Sequence, residues 1–196
     1  MPRLFVALEL PAHAKRDLER LRGGIPGARW ITSDQFHLTL RFIGEVDGPL
    51  ADDVAMALAG IADAPFTLTL DGLGHFSHGR RPHALWAGVR KHPALRDLHA
   101  RIENRLQAIG LPPERRNYAP HVTIARLKTA RLKKAAPARI ADYLQTYGAF
   151  ATAPFAVNAF ALFSSFLSHR GAIHTVEASY PLEQPAQPSV AAAQPT

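Results

Sequence analysis

The sequence predicts an α+β fold, and three observations point to this class. Apolar and polar residues alternate over several short segments, as is typical of strands with one face in a core. Apolar residues at spacings of three and four, typical of amphipathic helices, separate some of these segments. The two patterns mix irregularly, and the continuous apolar runs of a buried parallel sheet are missing. With 196 residues, the chain fits one domain, or two small lobes that share a cleft.

The predicted elements run along most of the chain. Strands are expected at residues 4–10, 36–43, 66–70, 84–89, 122–127, 155–163 and 175–180. The longest helical pattern covers residues 95–109 and stops at Gly110, and shorter ones cover 12–22, 50–61 and 137–147. We expect one domain over residues 1–183 and a disordered tail rich in Pro, Ala and Gln over 184–196.

Composition favours a polyanionic partner. Lysine and arginine number 23 against 16 acidic residues, a net charge of +7, although basic proteins without such a partner are common. The chain has no cysteine, which excludes disulfides, thiolate catalysis and cysteine zinc sites, so a cytoplasmic location is expected. No segment approaches the roughly 20 apolar residues of a membrane helix, so no membrane partner is expected.

Two tetrapeptides share one form, a histidine, an apolar residue, a threonine and an apolar residue. They are His37-Leu38-Thr39-Leu40 and His121-Val122-Thr123-Ile124. Chance would supply roughly 0.1 such motifs in this chain, so two copies favour a functional pair. A single strand histidine is more often a packed core residue. Because residues i and i+2 of a strand share a face, each His and Thr would project together while the apolar residues enter the core.

Two such motifs suit phosphodiester chemistry if the fold brings them together. Imidazoles with a pKa near 6.5 can hold opposite protonation states at neutral pH, one acting as base and the other as acid. The threonine hydroxyls can donate hydrogen bonds to the non-bridging phosphate oxygens. This chemistry requires no metal and no cofactor, and neither is expected. The histidines at 75–83 lack carboxylate or thiolate partners, so they make a poor metal site.

The paired motifs resemble those of the 2H phosphoesterase superfamily. Within it, the chain is similar to the bacterial and archaeal RNA 2′,3′-cyclic phosphodiesterases, long called 2′-5′ RNA ligases. The segments that carry the resemblance are residues 3–11, 37–46, 85–89 and 120–126, in this order. Only the tail lies outside it.

The resemblance implies a two-lobed α+β fold with pseudo-twofold symmetry, in which each lobe is an antiparallel sheet with helices. Each lobe would contribute one motif to a central cleft. It also implies hydrolysis of RNA-terminal 2′,3′-cyclic phosphate to a 2′-phosphate, with reversible 2′-5′ ligation as a slower reaction. By position His121 would be the base and His37 the acid, although the near-symmetric motifs leave the reverse assignment open. Thr39 and Thr123 would hold the phosphate.

Three more residues are candidate substrate contacts, each with a solvated surface position as the alternative. Arg126 matches a family arginine near the phosphate, but ideal strand parity turns it away from His121 unless a bulge or the end of the strand redirects it. Arg41 shares parity with His37. Phe76 belongs to a predicted basic loop at 75–83, where it would stack on a base.

Other basic or polar segments have the same two alternatives. A second predicted loop at 164–170 falls near a substrate-side segment of the family. His174 stands where relatives often have tyrosine, so no family role is transferred to it. A basic cluster that would attract phosphate comes after the second motif and comprises Lys128, Arg131, Lys133 and Lys134.

Three alternatives remain open at this level. The enzyme would act on another small cyclic or 2′-5′ linked nucleotide, or the chain would be an RNA-binding module without turnover, or the histidines would be packed residues of a scaffold. The expected partners are RNA ends or cyclic nucleotides, with a nucleoside triphosphate as a further ligand of the cleft. A monomer is expected.

Overall fold

Strands and helices mix throughout residues 3–79, 81–127, 136–168 and 171–183, which the computed structural model describes. The strands are β1 (Arg3–Glu9), β2 (Ala28–Trp30), β3 (His37–Glu45), β4 (Phe66–Leu68), β5 (Leu70–His78), β6 (Arg81–Val89), β7 (His121–Leu127), β8 (Phe155–Val157), β9 (Ala159–Ser168) and β10 (Gly171–Pro181). The helices are α1 (Ala12–Glu19), α2 (Gly48–Ala59), α3 (Pro93–Ala108) and α4 (Ala136–Thr146). A 3₁₀ turn at Ser33–Gln35 precedes β3.

The strands form two four-stranded sheets and a two-stranded ribbon. The first sheet has the order β10-β9-β1-β3, the second β2-β7-β6-β5, and the ribbon pairs β4 with β8. Every pairing is antiparallel, so the predicted α+β class is confirmed. Each four-stranded sheet contains one of the two motifs, in β3 and in β7, and these two strands lie next to each other.

One hydrophobic core underlies both motif strands. Leu38, Leu40, Val122 and Ile124 belong to it and are at most 3% exposed, as the alternation within the motifs predicts. Helix α3 adds the buried side chains of Leu95, Leu98, Ile102 and Leu106. Full burial of each such side chain stabilises the fold by about 1.5–3 kcal/mol. This packing holds the two motif strands in place, with their polar residues on the opposite face.

Both predicted loops are wrong over the residues that the structure describes, because most of these belong to paired strands. Strand β5 runs to His78 and β6 begins at Arg81, while β9 runs to Ser168. Exposed polar residues occupy both faces of the β5 end, including His75, Ser77 and His78, and this hid the alternation. Strand β2 was not predicted because three residues are too few for a periodicity.

Several sequence predictions fall on residues outside the described part of the chain. These are the basic cluster of Lys128, Arg131, Lys133 and Lys134, the tail 184–196, and residues 80, 169 and 170 of the two predicted loops. The proposed extent of the domain, residues 1–183, stays a prediction. Among the described helices, none combines the length and the apolar character needed to cross a lipid bilayer.

Candidate active site

A cavity of about 400 Å³ brings the two motifs together. Its walls include His37 and Thr39 from the first sheet and His121 and Thr123 from the second. We call this cavity the catalytic cleft. In both strands the histidine and threonine are half-buried while the residue between them is fully buried. The strand alternation therefore presents the polar pair to the cleft from each side.

The two histidines are oriented by the same kind of hydrogen bond. His37 Nδ1 lies 2.8 Å from the main-chain oxygen of Gln35, and His121 Nδ1 lies 2.7 Å from that of Ala119. A carbonyl oxygen only accepts, so Nδ1 carries the hydrogen in each ring. Nε2 is then the nitrogen that gains or loses a proton, and both imidazoles are held in the tautomer that general acid–base chemistry requires.

Aromatic side chains pack against each histidine. In the first sheet, the ring centroids of Phe5 and His174 lie 4.9 and 5.0 Å from that of His37. In the second sheet, the centroid of Phe76 lies 4.7 Å from that of His121 in an edge-to-face arrangement, and that of Trp86 lies at 6.4 Å. These contacts restrict the rings beyond what the single hydrogen bond does.

Burial controls the protonation of the pair. Burial first, and then the nearby His174, Arg126 and His121, together lower the pKa of His37 to about 4 against the opposing hydrogen bond to Gln35. Burial also lowers the pKa of His121, as does Arg126. Both histidines are therefore mainly neutral at pH 7 in the free protein, and an anion in the cleft would favour their charged forms.

A β-bulge directs Arg126 into the cleft. Thr123 pairs with Trp86 and Ala125 with Leu85, so Ile124 is an extra residue in β7. The extra residue reverses the parity of the strand residues beyond it, and Arg126 lines the cleft together with His121 and Thr123.

The same irregularity in β3 has the opposite effect on Arg41. Thr39 pairs with Ala7 and Arg41 with Val6, so Leu40 is the extra residue. Arg41 is turned to the other face, is 8% exposed, and donates from Nε to Glu103 Oε2 at 2.6 Å. The expectation that Arg41 shares a face with His37 is therefore wrong. Phe42 takes the cleft face instead, 53% exposed.

Sequence reasoning missed several residues of the cleft. Arg29 on β2 pairs with Arg126 on β7, and Arg116 lies in the segment before the second motif. Among the described residues that line the cleft there is no carboxylate, so its electrostatic character is cationic and suits phosphate. Arg29 belongs to a strand too short to recognise, and Arg116 to a segment without periodicity, so neither left a signal in the sequence.

Potential metal ligands do not cluster within the described ranges. No group of three or more His, Asp or Glu side chains there is close enough to hold a metal ion. His78 and His83 of the predicted basic loop do approach each other, with ring centroids 5.7 Å apart.

Comparison with known proteins gives a consistent result. A model of the 2′-5′ RNA ligase superfamily matches residues 10–165. A protein of Aeropyrum pernix named RNA 2′,3′-cyclic phosphodiesterase is 35% identical over 152 residues, which is 77% of this chain and 84% of that protein. One of the same name from Geobacillus stearothermophilus is also 35% identical, over 130 residues, but the match covers 62% of this chain and only 41% of that longer protein.

Solved structures agree in the fold. The crystal structure of Escherichia coli LigT complexed with 3′-AMP superposes with a TM-score of 0.75 at 26% identity, covering 94% of this chain and 100% of that one. The same protein complexed with NADP⁺ gives a TM-score of 0.72 at 26% identity, covering 93% and 98%.

Proposed function

Because the chain belongs to the 2′-5′ RNA ligase superfamily, we propose that it hydrolyses RNA-terminal 2′,3′-cyclic phosphate to a 2′-phosphate with His37 and His121 as the acid–base pair. The protein is an enzyme, a phosphodiesterase of the 2H type. The observation that carries the proposal is the matched pair of imidazoles in one cleft, each with Nδ1 on a main-chain carbonyl and Nε2 available for proton transfer.

The reaction is derived by placing the cyclic phosphate between the two rings. Neutral His121 takes a proton from water at Nε2 as the water oxygen attacks phosphorus. The bond from phosphorus to O3′ breaks, and protonated His37 donates its Nε2 proton to O3′. One water is consumed, and the products are a 2′-phosphate and a free 3′-hydroxyl. The two histidines exchange protonation states and are restored through solvent.

Phosphate binding is assigned to three side chains of the cleft. Thr39 and Thr123 donate from their hydroxyls to the non-bridging oxygens, and Arg126 supplies positive charge. The negative charge on these oxygens must be stabilised as the fifth bond to phosphorus forms, and preorganised donors do this without the reorganisation that water would need. Loss of one such donor typically lowers kcat by about 10²–10³.

Ligation uses the same groups with another nucleophile. If the 5′-hydroxyl of a second RNA takes the place of water, His121 removes its proton and the product contains a 2′-5′ linkage. The step is reversible because the linkage can be attacked by the neighbouring O3′. We expect it to be slower than hydrolysis, since water is abundant and needs no second strand to be positioned.

A nucleotide that is not hydrolysed can occupy the same cleft. The E. coli relative has been crystallised with 3′-AMP and with NADP⁺, and the cationic cleft of this chain suits a nucleoside triphosphate equally well. We infer competitive inhibition of hydrolysis by ATP. The RNA substrate also implies a cytoplasmic location, which cell fractionation would test.

The test of the proposal is hydrolysis of a short RNA that ends in 2′,3′-cyclic phosphate, with EDTA present. The wild type should form the 2′-phosphate, and His37→Ala and His121→Ala should each abolish turnover while melting remains cooperative. His75→Ala, an exposed histidine on β5 that does not line the cleft, is the matched control. Failure of the wild type to turn over would leave another small cyclic or 2′-5′ linked nucleotide, or RNA binding alone.

A further inference from the structure

A second cavity of about 330 Å³ adjoins the catalytic cleft. We call it the side cavity. The residues that line both are Thr39, Phe42, Phe76, His83, Arg116 and His121. Since one motif threonine and one motif histidine belong to both walls, the side cavity opens directly at the reacting phosphate and continues the site for the substrate.

The far wall of the side cavity is mainly aromatic and polar, and its two charged residues, Arg41 and Glu114, lie 3.9 Å apart with opposite charges. The rings of His99 and Tyr118 stack there with centroids 3.7 Å apart and planes within 12°. His78 and Asn117 add exposed hydrogen-bonding groups. Flat π-faces flanked by amide and imidazole groups are the surroundings in which proteins hold unpaired nucleobases.

The junction between the cavities combines the exposed ring of Phe42 and the half-buried ring of Phe76 with a cation. Phe42 belongs to the first sheet and Phe76 to the second, so a base that enters the side cavity passes between the two sheets. Arg116 lines both cavities, and its side chain is 88% exposed, with a 3.8 Å contact to Glu114. An exposed pair of this kind contributes little, so the guanidinium can turn to a phosphate at small cost.

These features indicate that the side cavity binds a nucleotide. Resting on the proposed function, we propose that the side cavity binds the penultimate nucleotide of the RNA, with Arg116 at the phosphate that joins it to the terminal one. The catalytic cleft, at about 400 Å³, takes the terminal nucleotide with its cyclic phosphate, and the side cavity is of similar size. The preferred substrate is therefore an RNA end of at least two nucleotides, in contrast to a free nucleoside 2′,3′-cyclic phosphate.

The test is the dependence of kcat/KM on substrate length. Four substrates are compared: a nucleoside 2′,3′-cyclic phosphate, the dinucleotide, the trinucleotide, and a dinucleotide whose upstream ribose lacks a base. The dinucleotide should exceed the mononucleotide by about tenfold, as expected from one stacked base. The trinucleotide should add little, and the base-free dinucleotide should lose most of the gain.

Variants then locate the effect. The double substitution His78→Ala with Asn117→Ala changes exposed residues of the side cavity and should reduce the ratio of dinucleotide to mononucleotide kcat/KM toward one. His75→Ala lies on the same strand as His78 outside both cavities, and should keep the wild-type ratio. A wild-type ratio near one, a base-free dinucleotide as good as the intact one, or a double variant with the wild-type ratio would each overturn the inference. Absence of hydrolysis for every substrate would instead contradict the proposed function.

Discussion

His37 and His121 occupy similar positions in their strands but differ in their neighbours. His37 has a third imidazole, His174, within 5.0 Å between ring centroids, whereas His121 has Phe76 and Trp86. The His174 imidazole disfavours positive charge on His37. Its effect adds to that of burial, and together they contribute most to lowering the pKa of His37 to about 4. The motifs are symmetric in sequence, and their environments are not.

The lowered pKa values predict the pH dependence of the reaction. In the free enzyme the pKa values of both histidines lie below the ordinary histidine value of about 6.5. The acid must be protonated, so kcat/KM should form a bell centred below pH 6.5 and fall as pH rises through neutrality. The bound phosphate favours imidazolium, so the kcat profile should lie at higher pH. A flat profile from pH 4 to 9, or a kcat/KM bell centred above pH 7, would contradict this mechanism.

Removing the third imidazole should shift one limb of that bell. His174→Phe keeps a ring in place but deletes the group that, after burial, most lowers the pKa of His37. The limb that belongs to His37 should move to higher pH, and the His37 resonance should titrate at higher pH by NMR. His75→Ala provides the control and should move neither. An unchanged titration of His37 in the His174 variant would show that burial alone sets its pKa.

At the scale of elements, β3 and β7 contain the same bulge at the fourth residue of each motif. In β3 the extra residue is Leu40 and in β7 it is Ile124. Phe42 and Arg126 are therefore structural counterparts, each five residues after its histidine, and both reach the cleft. The first sheet contributes a ring and the second a cation, which gives a symmetric scaffold an asymmetric site.

The bulges predict opposite consequences for two arginines. Arg41→Ala removes the partner of Glu103 from a nearly buried ion pair and should lower the free energy of unfolding by about 3–5 kcal/mol. Its kcat/KM on a nucleoside 2′,3′-cyclic phosphate should stay close to the wild type when corrected for folded protein. Arg126→Ala should instead lower kcat/KM by about 10²–10³ with a small change in unfolding. Urea titration and kinetics on both variants check this. If Arg41→Ala impaired catalysis and Arg126→Ala impaired stability, the positions of the two bulges would be contradicted.

Gly74 on strand β5 leaves room for the Trp86 ring, which packs near His121. A Cβ at Gly74 would come within 2.3 Å of the Trp86 ring, so the indole can lie there only because this residue has no side chain. Gly74→Ala should displace Trp86, destabilise the protein by about 1–3 kcal/mol, shift tryptophan fluorescence and lower kcat/KM through His121. Gly48→Ala, where nothing lies within 4 Å, should be neutral. Equal stability and fluorescence in the two variants would refute the supporting role.

At the scale of the whole molecule, the sequence predicted the class, most elements and the approach of the two motifs. The family resemblance implied the approach of the motifs, and the alternation inside each motif predicted that its apolar residues enter the core, where they lie. The orientation of Arg41 was not predictable, since a bulge at Leu40 leaves an apolar residue where the regular pattern also expects one. Arg29 and Arg116 reach the cleft only through tertiary structure. The side cavity likewise joins residues from β3, β5, α3 and the segment before β7.

In the proposed mechanism the two sheets place one proton acceptor and one proton donor on either side of the phosphate. The most direct test replaces O3′ of the terminal cyclic phosphate with sulfur, because a thiolate leaves without protonation. With this substrate His37→Ala should recover most of the wild-type rate, whereas His121→Ala should stay inactive since the water still needs a base. Rescue of His121→Ala alone would exchange the two roles, and rescue of both variants or of neither would contradict acid–base catalysis by this pair.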